Sequence, residues 1–260
     1  MLRSRSSASS RWTADPLAAG APRLYVDAAL TPASELILPE RVAHHLTRVL
    51  RRGVGDEIRL FDGLGTEVSA HIARSERKQV AVHIDALLTP VAESSLTVHL
   101  GQAISKGDRM DYAIQKAVEL GVAAITPLYT EHGDVALKGE RAAKKLAHWQ
   151  GVAISACEQC GRATVPVIAP AMKLAEWLAM RDEPVRWMLH PGEARLESTT
   201  TIARAALLIG PEGGLSEADM AGARTHGFAP LSLGPRILRT ETAPVVALSL
   251  LQYLHGDLSR

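Results

Sequence analysis

The chain has 260 residues, 47% of them hydrophobic and 22% charged, enough apolar material for one large or two modest globular domains. Its 29 basic and 28 acidic residues leave a formal net charge of +1, so any basic surface must be local. Aromatics at 4% argue against a single-strand binder built on stacked rings, two cysteines make no disulfide framework, and no apolar run is long enough for a membrane span.

Residues 1–21 differ in kind from the rest. Arg3, Arg5 and Arg11 stand among the serines from Ser4 to Ser10, with one acid, Asp15. Such a start fits an organelle transit peptide and, more simply, a disordered extension, which is the expectation for 1–21. No apolar segment follows that would make it a secretory signal. Ordered structure is expected to begin with a short strand at Arg23–Val26. Leu36 to Leu50 reads as a helix, with Val42, Leu46, Val49 and Leu50 at helical spacing. Three alternating runs follow. Ile58 and Leu60 alternate with Glu57, Arg59 and Phe61; Val68, Ala70 and Ile72 with Glu67, Ser69 and His71; Val80, Val82 and Ile84 with Gln79, Ala81 and His83. Turns at Asp62-Gly63 and Ser75–Lys78 join them into an antiparallel meander with one wet face. A small β-barrel over residues 22–90 is the natural product. Leu88–Ser95 reads as a linker.

From Leu96 strands alternate with helices, the pattern of a parallel α/β sheet over 96–256. Leu96–Leu100 is a strand. A helix capped by Asp108 buries Met110, Ala113, Ile114, Ala117 and Val118 and stops at Gly121. Val122–Leu128 returns as a strand. Glu140–Cys160 is a helix with Leu146, Trp149, Ala153 and Cys157 inward, ending at Gly161. Val185–Leu189, Ala205–Ile209 and Leu231–Leu233 are short apolar strands. Ser216 and Asp219 box the start of another helix, and Thr242 caps the last, with Pro244 in its first turn.

Two stretches carry the chemistry. One is Leu207–Ser216, containing Gly210-Pro211-Glu212-Gly213-Gly214; the other is Leu233–Ala243. Each is a strand that breaks into a loop and opens a helix. The first lacks the Gly-Lys-Ser/Thr ending of a phosphate loop and the glycine spacing of a dinucleotide fingerprint. It presents bare backbone N–H and C=O groups, which suits a nucleoside-like ligand. Both follow successive strands, so their loops meet at one sheet edge, the usual ligand position in α/β folds. Arg239 lies between strand and helix, either as an ion-pair partner of Glu241 or Glu212 or as a fixed cation in an active site. Cys157-Glu158-Gln159-Cys160 closes a helix and lacks further ligands at zinc spacing, so no metal is expected. Arg48, Arg51 and Arg52 would share one helix face at i, i+3 and i+4, as would Arg109 and Lys116. With Lys106 and Arg162 these are the candidates for phosphate contact.

The ordered set of motifs resembles the RsmE family of SPOUT-class RNA methyltransferases. The set comprises His45-x-x-Arg48-Val49-Leu50-Arg51, Phe61-Asp62-Gly63, Ile114-Gln115-Lys116-x-x-Glu119-Leu120-Gly121, Cys157–Arg162, Ile209–Ser216 and Leu233–Ala243. The resemblance spans residues 22–256. It implies a PUA-like barrel for RNA, a SPOUT domain with a trefoil knot, a cytoplasmic homodimer, and S-adenosylmethionine-dependent methylation of N3 of a uridine in 16S ribosomal RNA. The cofactor would lie against Leu189, His190 and Pro191; Ile209, Gly210, Pro211, Glu212, Gly213 and Gly214; and Leu233, Gly234, Ile237, Leu238, Arg239, Thr240, Glu241 and Thr242. Arg239 would be catalytic, since a guanidinium favours the uracil anion left when N3 loses its proton. Glu158, His190 or Glu241 would take that proton. A 2′-O-ribose methyltransferase of tRNA or rRNA is the nearest alternative, although such relatives carry an asparagine motif where this chain has Arg239–Thr242. A non-catalytic ribosome assembly factor is the third.

Overall fold

Why the first half alternates and the second does not is visible in how each sheet is covered. The computed structural model describes residues 20–76, 79–133, 137–191 and 202–259. Nearly all of the expected extension over 1–21, and Arg77 and Lys78 of the expected turn, lie outside them. The described residues form two compact units, one running to Phe61 and including Glu67–Leu88, the other made of Asp62–Thr66 and the chain from Thr89 on.

The first unit contains β1 (Arg23–Tyr25), β2 (Glu35–Ile37), α1 (Glu40–His44), β3 (Glu57–Phe61), β4 (Glu67–Glu76) and β5 (Gln79–Leu88). Its sheet order is β1-β3-β4-β5-β2. The β3-β4-β5 meander is antiparallel as the alternation predicts, and β1 joins in parallel. Ile58, Leu60, Val68, Ala70, Ile72, Val82 and Ile84 are the buried phase, packed with Leu46 and Val26. The wet phase is not uniformly wet. Phe61 is fully buried, and Glu67 takes a bidentate pair from Arg23, Nε to Oε1 at 3.0 Å and Nη2 to Oε2 at 3.1 Å. Arg23 also lies 3.9 Å over the Phe61 ring. Removing either partner would strand a buried charge, which is why such pairs occur together.

The expected helix over 36–50 is corrected at both ends. Leu36 pairs with Val82 in β2. Past α1 the chain widens into a π-type turn over His45–Val49, with the Leu50 N–H bonded to His45 C=O at 3.0 Å. Arg51 then takes φ +54°, a left-handed conformation that costs a non-glycine residue about 1–2 kcal/mol. Arg48, Arg51 and Arg52 therefore do not share a helix face.

The second unit contains β6 (Thr97–Ala103), α2 (Asp108–Glu119), β7 (Ala124–Tyr129), α3 (Gly139–Cys160), β8 (Val167–Ile168), β9 (Met172–Lys173), α4 (Leu174–Ala179), β10 (Val185–Leu189), β11 (Arg204–Ile209), α5 (Glu217–Thr225), β12 (Ala229–Leu231) and α6 (Thr242–His255). Every strand pairing is parallel, in the order β12-β10-β11-β6-β7-β8, with β9 also beside β7. A parallel sheet is covered on both faces, so its strands are continuously apolar. Accordingly Ala205, Ala206, Leu207, Leu208 and Ile209 are all buried. The expected α2 stripe is buried in full, and α3 stops at Gly161 in the left-handed conformation. Trp177 of α4 is fully buried against Phe228. Gly101 of β6 makes room for it, since a Cβ there would stand 2.6 Å from the indole. Ser216 and Asp219 form the expected capping box on α5. The last strand falls two residues earlier than expected because Leu231, not Leu233, pairs with Leu189.

Candidate active site

Because β12, β10 and β11 are adjacent and parallel, the loops that leave them emerge at one edge. They line a cleft of about 660 Å³. Leu189, His190 and Pro191 come from the end of β10. Ile209, Gly210, Pro211, Glu212, Gly213 and Gly214 come from the end of β11. Leu233, Gly234, Ile237, Leu238, Arg239, Thr240 and Glu241 come from the segment between β12 and α6. Thr242, expected among them, is not on the wall. It is the first residue of α6, and its N–H bonds Arg239 C=O at 2.9 Å. Five wall residues were not expected there: Arg109, Leu215, Leu231, Arg236 and Ala243. Arg109 reaches the cleft because β6, which precedes its helix, lies next to β11, a neighbourhood invisible in sequence order.

Local chemistry explains the loop's shape. A Cβ on Gly210 would meet Leu215 Cγ at 3.0 Å and its backbone nitrogen at 3.2 Å. Gly214 has φ +76° with open space around it, so its lack of side chain serves the backbone bend and leaves the wall bare. A Cβ on Gly213 would approach His132 at 3.3 Å, so a larger residue there disturbs the loop itself as well as any ligand. Two buried polar atoms of cleft residues have no partner among the described residues: His190 Nδ1 and Glu241 Oε2. Buried polar atoms are nearly always paired, so each marks a point where a ligand would complete the bonding.

The alternatives for Arg239 are now separated. Glu212 is taken by Arg109, Nη1 to Oε1 at 2.9 Å, and no ion pair joins Arg239 to Glu241 among the described residues. The Arg239 guanidinium is an exposed, unpaired cation on the cleft wall. Both backbone N–H groups of Thr242 and Ala243 bond its carbonyl at 2.9 Å, which fixes the turn that carries it.

The other basic candidates divide sharply. Arg48 and Arg51 are exposed and without ion partners among the described residues. Arg52 is half-buried and donates to Gly20 C=O at 2.8 Å. Lys106 sits in the loop between β6 and α2. Lys116 bonds Glu119 at 2.7 and 2.8 Å. Arg162 is buried and is removed from the phosphate-contact set. Its Nη2 donates to Glu93 at 2.6 Å, and its Nη1 to Val118 and Val122 C=O at 2.9 and 3.0 Å. Cys157 is buried and directs its Sγ to Thr164 C=O.

Residues 92–252 match the family profile of an RNA methyltransferase domain, and residues 38–85 that of an RNA methyltransferase PUA domain. A ribosomal RNA small subunit methyltransferase E of Buchnera aphidicola is 34% identical over 239 residues, 91% of this chain and 94% of the relative. A methyltransferase of Legionella pneumophila, solved with bound S-adenosylmethionine, superposes with a TM-score of 0.89 at 42% identity, covering 92% of this chain and 99% of that one. The ribosomal RNA small subunit methyltransferase E of Neisseria gonorrhoeae, also bound to S-adenosylmethionine, gives 0.85 at 38% with the same coverage. A PUA-like unit followed by a parallel α/β methyltransferase unit, matched along nearly the full length of these relatives, places this chain in the ribosomal RNA small subunit methyltransferase E family.

Proposed function

We propose that this chain methylates N3 of a uridine in the 16S RNA of the small ribosomal subunit, as a cytoplasmic homodimer. Family membership carries the coarser part: the chain is an S-adenosylmethionine-dependent methyltransferase of small-subunit ribosomal RNA. The cleft fits that cofactor. Its glycine-rich wall offers backbone groups for a nucleoside, and the unpaired atoms of His190 and Glu241 await partners. Leu189–Pro191, Ile209–Gly214 and Leu233–Glu241 would hold it. When bound, S-adenosylmethionine supplies an electrophilic methyl group.

The observation that supports N3 of uracil is the unpaired Arg239 on the cleft wall. Uracil N3 carries a proton and is a poor nucleophile until that proton leaves. A permanent cation beside it favours the anion. A ribose hydroxyl would need a strong base more than a counter-charge, and the segment lacks the asparagine motif of ribose methyltransferases. Arg48 and Arg51 would meet RNA phosphates. Association as a dimer is supported by the exposed apolar side chains of Tyr112 on α2 and Leu250 and Tyr253 on α6, two helices that pack on each other. The trefoil knot belongs to the same reading and rests on the family resemblance, with which the strand order β12-β10-β11 agrees.

Mass mapping of nucleosides in 16S RNA tests the proposal. A strain lacking the protein should lose one N3-methyluridine and regain it on complementation. Loss of a 2′-O-methyl mark instead, or of no mark, would overturn it.

A further inference from the structure

We infer that the Glu241 carboxylate takes the N3 proton of the target uridine. This rests on the uridine-N3 reading above. Besides Glu212, whose carboxylate is engaged by Arg109, three side chains are chemically able to accept that proton. Glu158 lies on α3 and is not on the cleft wall; His190 and Glu241 are. Glu241 lines the cleft, and its buried oxygen has no hydrogen-bond donor and no ion partner among the described residues, so no protein donor competes for that carboxylate.

Position and charge favour Glu241 over His190. Glu241 and Arg239 ride on one turn, closed by the Thr242 and Ala243 N–H bonds to Arg239 C=O. That turn presents a proton acceptor and a counter-charge together. In the transfer the N3–H bond breaks, an O–H bond forms on Glu241, and the electron pair stays on N3. One anion is exchanged for another, so the net charge of the cleft does not change. Transfer to His190 would instead create a new cation and a new anion, a charge separation that transfer to Glu241 avoids. The pair on N3 then makes the N–CH3 bond while the S–CH3 pair stays on sulfur.

The test uses full-length protein and small subunits from a strain lacking it. Wild-type protein is first shown to make N3-methyluridine; if it makes none, the N3 reading falls and this inference falls with it. Glu241→Gln keeps a side chain of the same size on the cleft wall, so by calorimetry it should lose far less in S-adenosylmethionine affinity than it loses in rate. Its single-turnover rate at pH 7 should drop about 100- to 10,000-fold. Between pH 7 and 9 that rate should climb about tenfold per pH unit as uracil ionises unaided, while the wild-type rate rises less. Glu241→Asp, which keeps the carboxylate, should restore the wild-type pH profile at reduced rate. A Glu241→Gln rate equal to wild type would overturn the assignment. So would a rate loss matched by an equal loss of cofactor affinity, which makes Glu241 a cofactor ligand, or the steep pH profile appearing in His190→Asn instead.

Discussion

Arginines in the stretch from α1 to Gly55 and four arginines of the second unit have opposite fates. Between Arg41 and Gly55 there is no acidic residue, and Arg41, Arg48 and Arg51 stand without ion partners among the described residues. In the second unit Arg109, Arg162, Arg181 and Arg204 each meet a carboxylate: Glu212, Glu93, Glu183 and Asp182. A near-zero net charge thus conceals a stretch of free positive charge as well as arginines that are individually neutralised. Free charge attracts phosphate and responds to salt, whereas charge paired in the interior, as at Arg162 and Arg181, supports the fold. Arg239 crosses the division, being, like Arg141, Arg224 and Arg236, without an ion partner among the described residues of the second unit, and it lines the cleft.

That exception gives the largest expected effect. Arg239→Lys keeps the charge but loses the planar fork of donors. If the fork stabilises the uracil anion, single-turnover methyl transfer should fall by roughly 100- to 1,000-fold, about 2.7–4 kcal/mol, with a much smaller loss of cofactor affinity. A variant that reacts at the wild-type rate would return Arg239 to the ordinary surface.

The paired arginines predict stability effects instead. Arg181 contacts His99 Nδ1 and bonds Glu183 at 3.1 Å, while His99 Nε2 bonds Thr126 Oγ1 at 2.9 Å. Burial, then the Arg181 charge, pushes the His99 pKa down from 6.5 to about 4. The folded protein therefore holds His99 neutral where the unfolded chain would protonate it. This stabilisation is complete above pH 6.5 and is lost as pH falls from 6.5 towards 4. It is worth on the order of 3 kcal/mol. Urea unfolding at pH 5 and pH 7.5 should show that slope in the wild type and a flatter one in His99→Gln. Equal slopes would remove His99 as the cause.

Arg162→Ala should be nearly as damaging. It leaves two buried carbonyls and Glu93 without their donor. A fully buried pair costs about 3–5 kcal/mol to break. Glu93 is 37% exposed, so water recovers part of its solvation and about 2–3 kcal/mol is expected. Wild-type stability with weakened RNA binding would restore Arg162 to the phosphate-contact set.

How far these roles were legible depends on how far apart the partners lie. Two of the cleft's three walls, Ile209–Gly214 and Leu233–Glu241, follow from apolar strand, loop and helix in immediate succession, which local patterning finds; Leu189–Pro191 was implied only by the family resemblance. The absence of acids around Arg48 is likewise local. Arg162 meets Glu93 across 69 positions and Arg109 meets Glu212 across 103. No periodicity connects such residues, so Arg162 looked like surface charge. The helix expected over 36–50 failed for a different reason. Its apolar spacing is real, but Leu36 was claimed by pairing with β5, and tertiary contacts outweigh local propensity. Glu67 and Phe61 read as wet by alternation, yet Arg23 from β1 buries both in one cluster.

The smallest effect sharpens the comparison most, because it separates binding from stability at one residue. Arg48→Ala and Arg51→Gly should each reduce the slope of log affinity against log salt by about 0.7–0.9 for RNA. Neither side chain has an ion partner to lose, so neither change should destabilise the fold by that route. Arg51 adds a second readout, since its φ of +54° is strained for arginine and natural for glycine. Relief of strain is offset in part by the looser unfolded chain, leaving Arg51→Gly about 0.5 kcal/mol more stable than wild type. A protein that folds better and grips RNA less would mean that the backbone strain is kept for the contact it aims. Lower stability in Arg51→Gly would show instead that the side chain supports the fold, and would move Arg51 to the paired, structural side of the division.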